Sequence, residues 1–209
     1  MCGIVGFIDQ KKKKEKTEII KNIADMIKHR GPDGEGYFVN DKVALDHRRL
    51  SIIDVEGGSQ PIYNADKSLV IIFNGEIYNY QSLKEELKGK GYKFKTKTDT
   101  EVILHGYDAW KDKLYEKLRG MFSFVIYDKK NDELIGARDH FGMKPFYYYY
   151  KDDVFMFASE IKSFLAHPDF EKEVNKDALK MYLIFQYSVK EESFFKSVYK
   201  LIPGHYFHY

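Results

Sequence analysis

The apolar residues of this chain fall into short runs, some typical of strands and some with helical spacing. The first run, CGIVGFI at residues 2–8, is rich in β-branched and aromatic side chains, which predicts a buried strand. Helical spacing follows, with Thr17 as a candidate N-cap and the Gly31-Pro32 pair as the stop signal. A strongly apolar run at residues 68–73 predicts another buried strand, which is expected to end in the Asn-Gly-Glu of residues 74–76.

Strands outnumber helices in the rest of the pattern. Two strand-like runs at 121–128 and 133–139 flank a polar Lys-Lys-Asn-Asp turn and predict a hairpin. Further strands are predicted at 36–39, 42–46, 50–53, 146–150, 154–157 and 198–201, and further helices at 81–90, 100–110, 159–166 and 177–187. Because the strands follow one another and the helices are few and clustered, the pattern favours an α+β layered sandwich of antiparallel sheets over a βαβ fold. We expect one domain over residues 1–209, with the lysine-rich segment at 11–16 as a solvated turn.

Composition narrows the class of protein. Of 209 residues, 44% are hydrophobic and 32% charged, which fits a globular chain and excludes disorder. The net charge of +2 gives no global attraction to nucleic acid or to a membrane surface, and no apolar run approaches the ~18 residues of a membrane span. The single cysteine excludes an internal disulfide and a cysteine metal cluster. We therefore expect a cytoplasmic protein that binds neither nucleic acid nor membranes.

The single cysteine, Cys2, is the most informative candidate for chemistry. Removal of Met1 would leave a residue with both a thiol and a free α-amine, whose ordinary pKa values are about 8.5 and about 7.7–8.0. Such a residue carries its own nucleophile and base, as in N-terminal-nucleophile enzymes. The alternative is a small buried cysteine, but Gly3 beside it favours the close approach of a substrate.

Four other side chains and one backbone group complete a possible site. The Asn74 amide and the Gly75 N–H are donors suited to an oxyanion, and the alternative is an ordinary Asn-Gly hairpin turn. Arg49, one of only five arginines, suits bidentate pairing with a carboxylate, and its alternative is a surface salt bridge. Glu76 and Asp99 suit an ammonium group, although Asp99 is also a plausible helix cap. Together these groups describe a receptor for an amino acid with an amide side chain.

Nine sequence blocks, spread over essentially the whole chain, carry a resemblance to a known family. They are MCGIVGFID, HRGPDGEG, HRRLSIID, GGSQPIYN, FNGEIYNY, TDTEVIL, LRGMFSFVIYD, ARDHFGMKPFYY and FASEIKSFL. In order and spacing they resemble the glutaminase domain of glutamine-hydrolysing asparagine synthetases, which are class II glutamine amidotransferases. The resemblance implies an N-terminal-nucleophile hydrolase fold, a four-layer αββα sandwich of two antiparallel sheets between helix layers.

The resemblance also implies a reaction and a role for each candidate residue. Cys2, freed of Met1, is expected to attack the side-chain amide of L-glutamine, release ammonia from a thioester and yield glutamate on hydrolysis. By the same match Asn74 and Gly75 form the oxyanion hole. The substrate-binding residues implied are Arg49 for the α-carboxylate, Glu76 and Asp99 for the α-ammonium, and the backbone of Leu50 and Ile52 for the pocket wall. No metal or cofactor is expected for this domain.

The family's second domain, which activates aspartate with ATP, has no counterpart in this chain. Its Ser-Gly-Gly-x-Asp-Ser pyrophosphate loop is absent from the sequence. We therefore expect the ammonia acceptor to be a separate synthetase domain or subunit, with ATP and Mg²⁺ needed only there, and a homodimer remains open. Two alternatives also remain: supply of ammonia to a sugar phosphate or phosphoribosyl acceptor, and a catalytically silent docking module. The presence of all five expected functional side chains argues against the second.

Overall fold

The computed structural model describes residues 1–51, 57–188 and 190–209, and it contains two antiparallel sheets. The strands are β1 (Gly3–Ile8), β2 (Gly34–Val39), β3 (Val43–Arg49), β4 (Ile62–Tyr63), β5 (Leu69–Ile77), β6 (Gly120–Asp128), β7 (Glu133–Arg138), β8 (Tyr147–Lys151), β9 (Val154–Ala158), β10 (Val198–Lys200) and β11 (Tyr206–His208). One sheet has the order β10-β8-β9-β1-β3-β2, and the other has the order β11-β7-β6-β5-β4. The predicted hairpin is confirmed as β6–β7, with Ser123 opposite Arg138.

The helices lie in separate parts of the chain. They are α1 (Lys13–Asp25), α2 (Tyr80–Gly89), α3 (Thr100–Trp110), α4 (Leu114–Lys117) and α5 (Lys176–Phe185), with 3₁₀ turns at Lys28–Arg30, Lys111–Lys113 and Ile161–Ala166. No helix in the described ranges has the length and apolar character needed to cross a membrane.

Three apolar cores stack these elements into four layers. Between the sheets, Leu45 of β3 packs in one cluster with Ile72 of β5 and Val125 of β6. The outer face of the second sheet is covered by α2 and α3, and the outer face of the first sheet is covered by α1. The predicted α+β class and its αββα layering are therefore confirmed.

The prediction of a solvated lysine turn at residues 11–16 was wrong. Helix α1 begins at Lys13, four residues before the predicted cap Thr17. Lys16 is fully buried, and its ammonium donates to Asp9 Oδ1 at 2.5 Å and to the Asp9 carbonyl at 2.7 Å. A run of lysines predicts a solvated segment by composition alone. Here one of them, Lys16, is buried because it forms an ion pair with the buried carboxylate of Asp9.

Strand β5 is longer than the sequence pattern predicted. It continues through Asn74, Gly75 and Glu76 to Ile77, so both the predicted strand end and the hairpin-turn alternative were wrong. Asn74 lies opposite Ser123 of β6, and Gly75 lies opposite Phe122. Polar residues usually indicate the end of a strand. Here β6 continues to pair with β5 through residues 74–76, and these residues line the cleft described below.

Other differences concern short elements and boundaries. β3 extends to Arg49, whereas the predicted strand at 50–53 is not formed at Leu50 or Ser51, and residues 52–53 lie outside the described ranges. The predicted helix at 159–166 is a 3₁₀ turn over Ile161–Ala166. The two-residue β4, the three-residue β11 and the four-residue α4 were not predicted, because so few residues carry no periodicity.

Helix α5 exposes an unusually apolar surface. None of its ten residues is buried, although Leu183, Ile184 and Phe185 follow one another in it. Ile184 is 70% exposed and Leu183 is 63% exposed. Adjacent exposed apolar side chains of this kind are typical of an interaction surface.

Two glycine-to-alanine changes test the packing of β1. A Cβ at Gly6 would lie 2.4 Å from Phe157 Cζ and 2.8 Å from the Ala44 carbonyl, whereas Gly89 at the end of α2 has no described atom within 4 Å of its Cβ position. Gly6→Ala should lower the free energy of unfolding by about 1–3 kcal/mol through overpacking. Gly89→Ala, the control, should leave it unchanged or raise it by up to about 1 kcal/mol. Urea denaturation measures both, and equal midpoints would show that β1 and β9 are not tightly packed.

Candidate active site

A cleft lies where the N-terminal end of β1 meets the C-terminal ends of β3 and β5. Its lining residues are Met1, Cys2, His47, Arg49, Leu50, Gly58, Gln60, Phe73, Asn74, Gly75, Glu76, Thr98, Asp99, Thr100, Met121 and Lys144. Every predicted site residue within the described ranges is among them. The remaining one, Ile52, lies outside the described residues.

The thiol of Cys2 is held against the backbone at the end of β3. Because β1 and β3 are antiparallel with Gly3 opposite Arg48, the register continues to Cys2 opposite Arg49, next to Leu50. The Leu50 N–H donates to Cys2 Sγ at 3.3 Å, and the thiol in turn faces the Leu50 carbonyl at 3.5 Å. The Cys2 carbonyl accepts a hydrogen bond from Arg30 Nε at 3.0 Å. The thiol is therefore fixed in position, half-buried at the cleft.

Met1 occupies part of the same cleft. Its sulfur accepts a hydrogen bond from Lys144 Nζ at 3.4 Å. While Met1 is attached, the nitrogen of Cys2 is a peptide nitrogen and has no lone pair available as a base. The predicted chemistry at Cys2 therefore requires removal of Met1.

The side chain of Asn74 offers a donor that is not used elsewhere. Asn74 is 1% exposed, and its Nδ2 has no hydrogen-bond partner within the described ranges. Buried polar atoms without a partner are uncommon, and each calls for an explanation. The cleft that holds the thiol therefore also holds an amide N–H that is available to a ligand.

Gly75 adds a backbone donor at the unpaired edge of β5. Two residues before it, Phe73 N–H donates to Gln60 Oε1 at 2.6 Å, and two residues after it, Ile77 N–H donates to Asp99 Oδ2 at 2.8 Å. N–H groups two residues apart on a strand point the same way, so the Gly75 N–H points to this edge between those two partners. A Cβ at Gly75 would lie 2.1 Å from the Met121 carbonyl, so only glycine allows β5 and β6 to approach this closely here.

Two residues that the sequence did not identify hold this strand edge. Gln60 Nε2 donates to the Phe73 carbonyl at 3.1 Å, so its amide substitutes for a neighbouring strand. His47 Nε2 also donates to the Phe73 carbonyl, at 3.0 Å. Full burial lowers the pKa of His47 to about 3, so its ring is neutral. Both lie within blocks of the family resemblance, but nothing in their spacing indicates a role in supporting β5.

Asp99 and Glu76 bring negative charge to the cleft. Burial raises the pKa of Asp99 to about 6, and the neighbouring Glu76 carboxylate adds to the increase. Asp99 occupies the N-cap position of α3, as the helix-cap alternative predicted, but within the described residues its side chain makes no cap hydrogen bond and instead accepts from the Ile77 N–H. Arg49, at the end of β3, provides a cation in the same cleft.

Lys144 is a further lining residue that the sequence did not identify. The buried Asp139 carboxylate accepts from the N–H groups of Phe141 at 3.1 Å, Met143 at 2.9 Å and Lys144 at 3.0 Å. It also accepts from the Phe122 N–H at 3.2 Å, which ties this loop to β6. Burial, and secondarily Arg30, lowers the pKa of Lys144. The local sequence pattern does not predict that Asp139 holds the loop at residues 141–144 so that Lys144 lines the cleft.

One cluster with the composition of a metal site lies away from this cleft. The carboxyl and imidazole ligand atoms of Asp9, His167 and Asp169 lie within 4.8 Å of one another. However, ammonium groups already occupy the cation positions, with Lys16 on Asp9 and Lys11 on Asp169. His167 Nδ1 accepts from the Asp169 N–H at 3.1 Å, so the proton of the neutral ring is on Nε2 and no lone pair remains there for a metal. These residues do not fit a metal ion.

Comparison with known proteins identifies a family over the whole chain. The family model described as a glutamine amidotransferase domain matches residues 1–209. Asparagine synthetase [glutamine-hydrolyzing] 1 of Bacillus subtilis (strain 168) is 46% identical over 210 residues, covering 99% of this chain and 33% of that protein. Asparagine synthetase B [glutamine-hydrolyzing] of Escherichia coli (strain K12) is 41% identical over 167 residues, covering 78% of this chain and 30% of that protein.

A solved structure shares the fold at low sequence identity. Glutamine phosphoribosylpyrophosphate amidotransferase from B. subtilis superposes with a TM-score of 0.68 at 23% identity, over 83% of this chain and 45% of that chain. The chain spans about a third of the length of the curated relatives named above. Since the family model matches the chain from its first residue to its last, the chain belongs to the glutamine amidotransferase domain family, a family of enzymes.

Proposed function

We propose that this chain hydrolyses L-glutamine to glutamate and ammonia through a thioester on Cys2. The observation that carries the proposal is the pairing of a fixed thiol with an unpartnered buried donor, Asn74 Nδ2, in one cleft. Amide hydrolysis by a nucleophile needs this combination, because the attacked carbonyl oxygen acquires negative charge as the sulfur–carbon bond forms.

The proposed reaction begins after Met1 has been removed. The α-amine of Cys2 takes the thiol proton, and Sγ attacks the side-chain amide carbon of glutamine. The oxyanion accepts hydrogen bonds from Asn74 Nδ2 and the Gly75 N–H. The tetrahedral intermediate collapses as the amine returns the proton to the leaving nitrogen, which departs as ammonia and leaves the thioester. Water, deprotonated by the same amine, then hydrolyses the thioester to glutamate and restores the thiol. No metal or cofactor on this chain takes part in these steps.

The charged groups of the cleft suit the two ends of a free amino acid. We assign Arg49 to the α-carboxylate, where its planar guanidinium can donate two parallel hydrogen bonds. Glu76 and Asp99 are assigned to the α-ammonium, and the backbone of Leu50 to the wall. The same assignment for Ile52 stays a prediction. An acid pair on the ammonium and an arginine on the carboxylate would select a zwitterion over a simple amide.

We further propose that the ammonia passes to a synthetase domain that makes asparagine from aspartate and ATP, with Mg²⁺ and ATP bound there. The relatives named as asparagine synthetases are about three times as long as this chain, so most of their length is available for such a domain. The exposed apolar side chains of α5 fit a surface on which that domain docks. A nucleophile that is a free thiol suits the reducing conditions of the cytoplasm.

Replacement of the nucleophile tests the proposed activity. On protein whose mass shows that Met1 is gone, Cys2→Ala should reduce glutamate release from millimolar glutamine by at least about 10³-fold, because the thioester cannot form. The variant should keep the circular-dichroism spectrum and melting temperature of the parent, since the hydrogen bonds of Cys2 Sγ within the described part of the chain are to the backbone of Leu50. Near-native turnover by Cys2→Ala would refute the assignment of the nucleophile, and absence of turnover in the parent would refute self-sufficient hydrolysis.

Replacement of Asp99 tests the proposed ammonium site. With a pKa of about 6, Asp99 is ionised at pH 7.5 and mostly protonated at pH 5. Glutamine binding to Cys2→Ala protein, measured by calorimetry, should therefore weaken about tenfold between those pH values. Asp99→Asn in the same background should bind weakly, with little change over this range.

The exposed Asp108 of α3 supplies the matched control, because it hydrogen-bonds Tyr92 and does not line the cleft. Asp108→Asn should keep the pH dependence of the parent. An Asp99→Asn variant that binds glutamine as tightly as the parent at pH 7.5 would remove Asp99 from the proposed ammonium site.

A further inference from the structure

Lys144 brings a buried ammonium to the start of the chain. Its side chain is 6% exposed, it lines the cleft with Cys2, and its Nζ lies 3.4 Å from the sulfur of Met1. Removal of Met1 therefore exposes this ammonium to the terminus that replaces it. The backbone around Lys144 is rigid, because Asp139 holds its N–H and Arg138 Nε donates to its carbonyl at 2.7 Å.

The charge of Lys144 is not balanced by a direct ion pair. Within residues 1–51, 57–188 and 190–209 its ammonium forms no salt bridge. Arg30, which donates to the Cys2 carbonyl, differs in this respect, since its guanidinium also donates to Glu160 Oε1 at 3.0 Å. His29 contacts that same carboxylate at 2.9 Å. The charge of Lys144 is therefore less directly balanced by an adjacent anion than the charge of Arg30.

The other charged groups around this point come from several elements. They are Arg49 and the neutral His47 of β3, Glu76 of β5, Asp99 before α3, Asp139 after β7, and Arg30 with its partner Glu160. Asp139 is committed to four backbone N–H groups, and Asp99 to the Ile77 N–H. Asp139 and Glu76 are thus the two carboxylates that oppose the charge of Lys144, and in the proposed function Glu76 binds the substrate ammonium.

A nearby positive charge disfavours a protonated amine. An α-amine with an ordinary pKa of about 7.7–8.0 is mostly protonated at neutral pH and cannot then take a proton from the thiol. We propose that Lys144 is a positioning residue whose ammonium holds the α-amine of Cys2 in its neutral, basic form and favours the thiolate formed beside it. This inference rests on the proposed role of the Cys2 amine as the base of the reaction.

The first experiment titrates the terminal amine without using glutamine. In Cys2→Ala protein with Met1 removed, the rate of acetylation of the terminal amine by acetic anhydride is followed against pH by mass spectrometry of the N-terminal peptide. Adding Lys144→Met should move the midpoint of this profile upward by about 0.5–1 pH unit, because the neutral side chain of similar length removes the repulsion. Lys144→Arg should keep the parent midpoint, and so should the control Lys84→Met, which contacts Phe94 away from the cleft.

The second experiment uses the protein with Cys2 intact. The acid limb of kcat/KM for glutamine should move upward by the same 0.5–1 pH unit in Lys144→Met, which is a loss of about 3–10-fold at pH 6 with recovery toward the parent value at pH 9. Lys144→Arg should restore the parent profile, and Lys144→Gln serves in place of Lys144→Met where the latter does not fold.

The outcomes separate this inference from the proposed function. An acetylation midpoint unchanged by Lys144→Met and Lys144→Gln would overturn it, as would a uniform loss of activity at every pH. A shifted acetylation midpoint in a chain that does not hydrolyse glutamine would support the electrostatic role of Lys144 and refute the proposed function alone.

Discussion

The unpaired edge of β5 is the constraint on which the rest of the site depends. From Phe73 to Ile77 this strand pairs with β6 on one side, while β4 reaches only as far as Ile71 on the other. Backbone groups at a buried edge need partners, and here side chains provide them: Gln60 at Phe73 and Asp99 at Ile77. The position between them, Gly75, keeps its N–H directed at the cleft. In the proposed oxyanion hole, the backbone N–H of Gly75 thus lies between two N–H groups of the same strand edge, at Phe73 and Ile77, that are already hydrogen-bonded.

The same strand edge gives Asp99 two roles, one in supporting β5 and one in the proposed binding of the substrate ammonium. Asp99 serves β5 with one carboxylate oxygen, Oδ2, and its burial beside Glu76 favours the protonated form. A substrate ammonium would relieve this unfavourable pairing of two acids, so the cleft is better suited to a cation-bearing ligand than to an empty state. Arg49 and Lys144 add cations to the same lining. The cleft therefore carries charges of both signs, as the proposed zwitterionic substrate requires.

Much of this arrangement could be predicted from sequence, and the successes share a cause. β1, α3 and the β6–β7 hairpin have long periodic patterns, and α3 was placed at its observed bounds. All the predicted site residues in the described ranges line one cleft. They could be identified from sequence because each lies within one of the blocks that carry the family resemblance. The local sequence pattern did not predict the hydrogen-bond or ion-pair partner of each of these side chains.

The errors follow from contacts distant in sequence. Lys16 is buried because its ammonium pairs with Asp9, seven residues earlier. Asp99 stands at the N-cap position of α3, but its side chain accepts the Ile77 N–H of another element instead of an N–H of the helix. Gln60 and Lys144 were missed for the same reason, since a glutamine in a loop and a lysine before a proline carry no signal until the fold brings them to the cleft. The extension of β5 past Asn74 also depends on β6, whose residues lie about fifty positions away.

The loop that delivers Lys144 also joins the cleft to the outer surface. Asp139 cradles residues 141–144 as one rigid unit, in which Phe141 is 84% exposed and Met143 is 56% exposed while Lys144 is buried. Phe141 borders a surface groove with residues 188 and 190–192, and that segment follows α5. Because Asp139 holds the whole loop, its exposed end at Phe141 and its buried end at Lys144 are parts of one hydrogen-bonded unit. The loop therefore joins a groove next to α5, the proposed docking surface, to the cleft that contains Cys2.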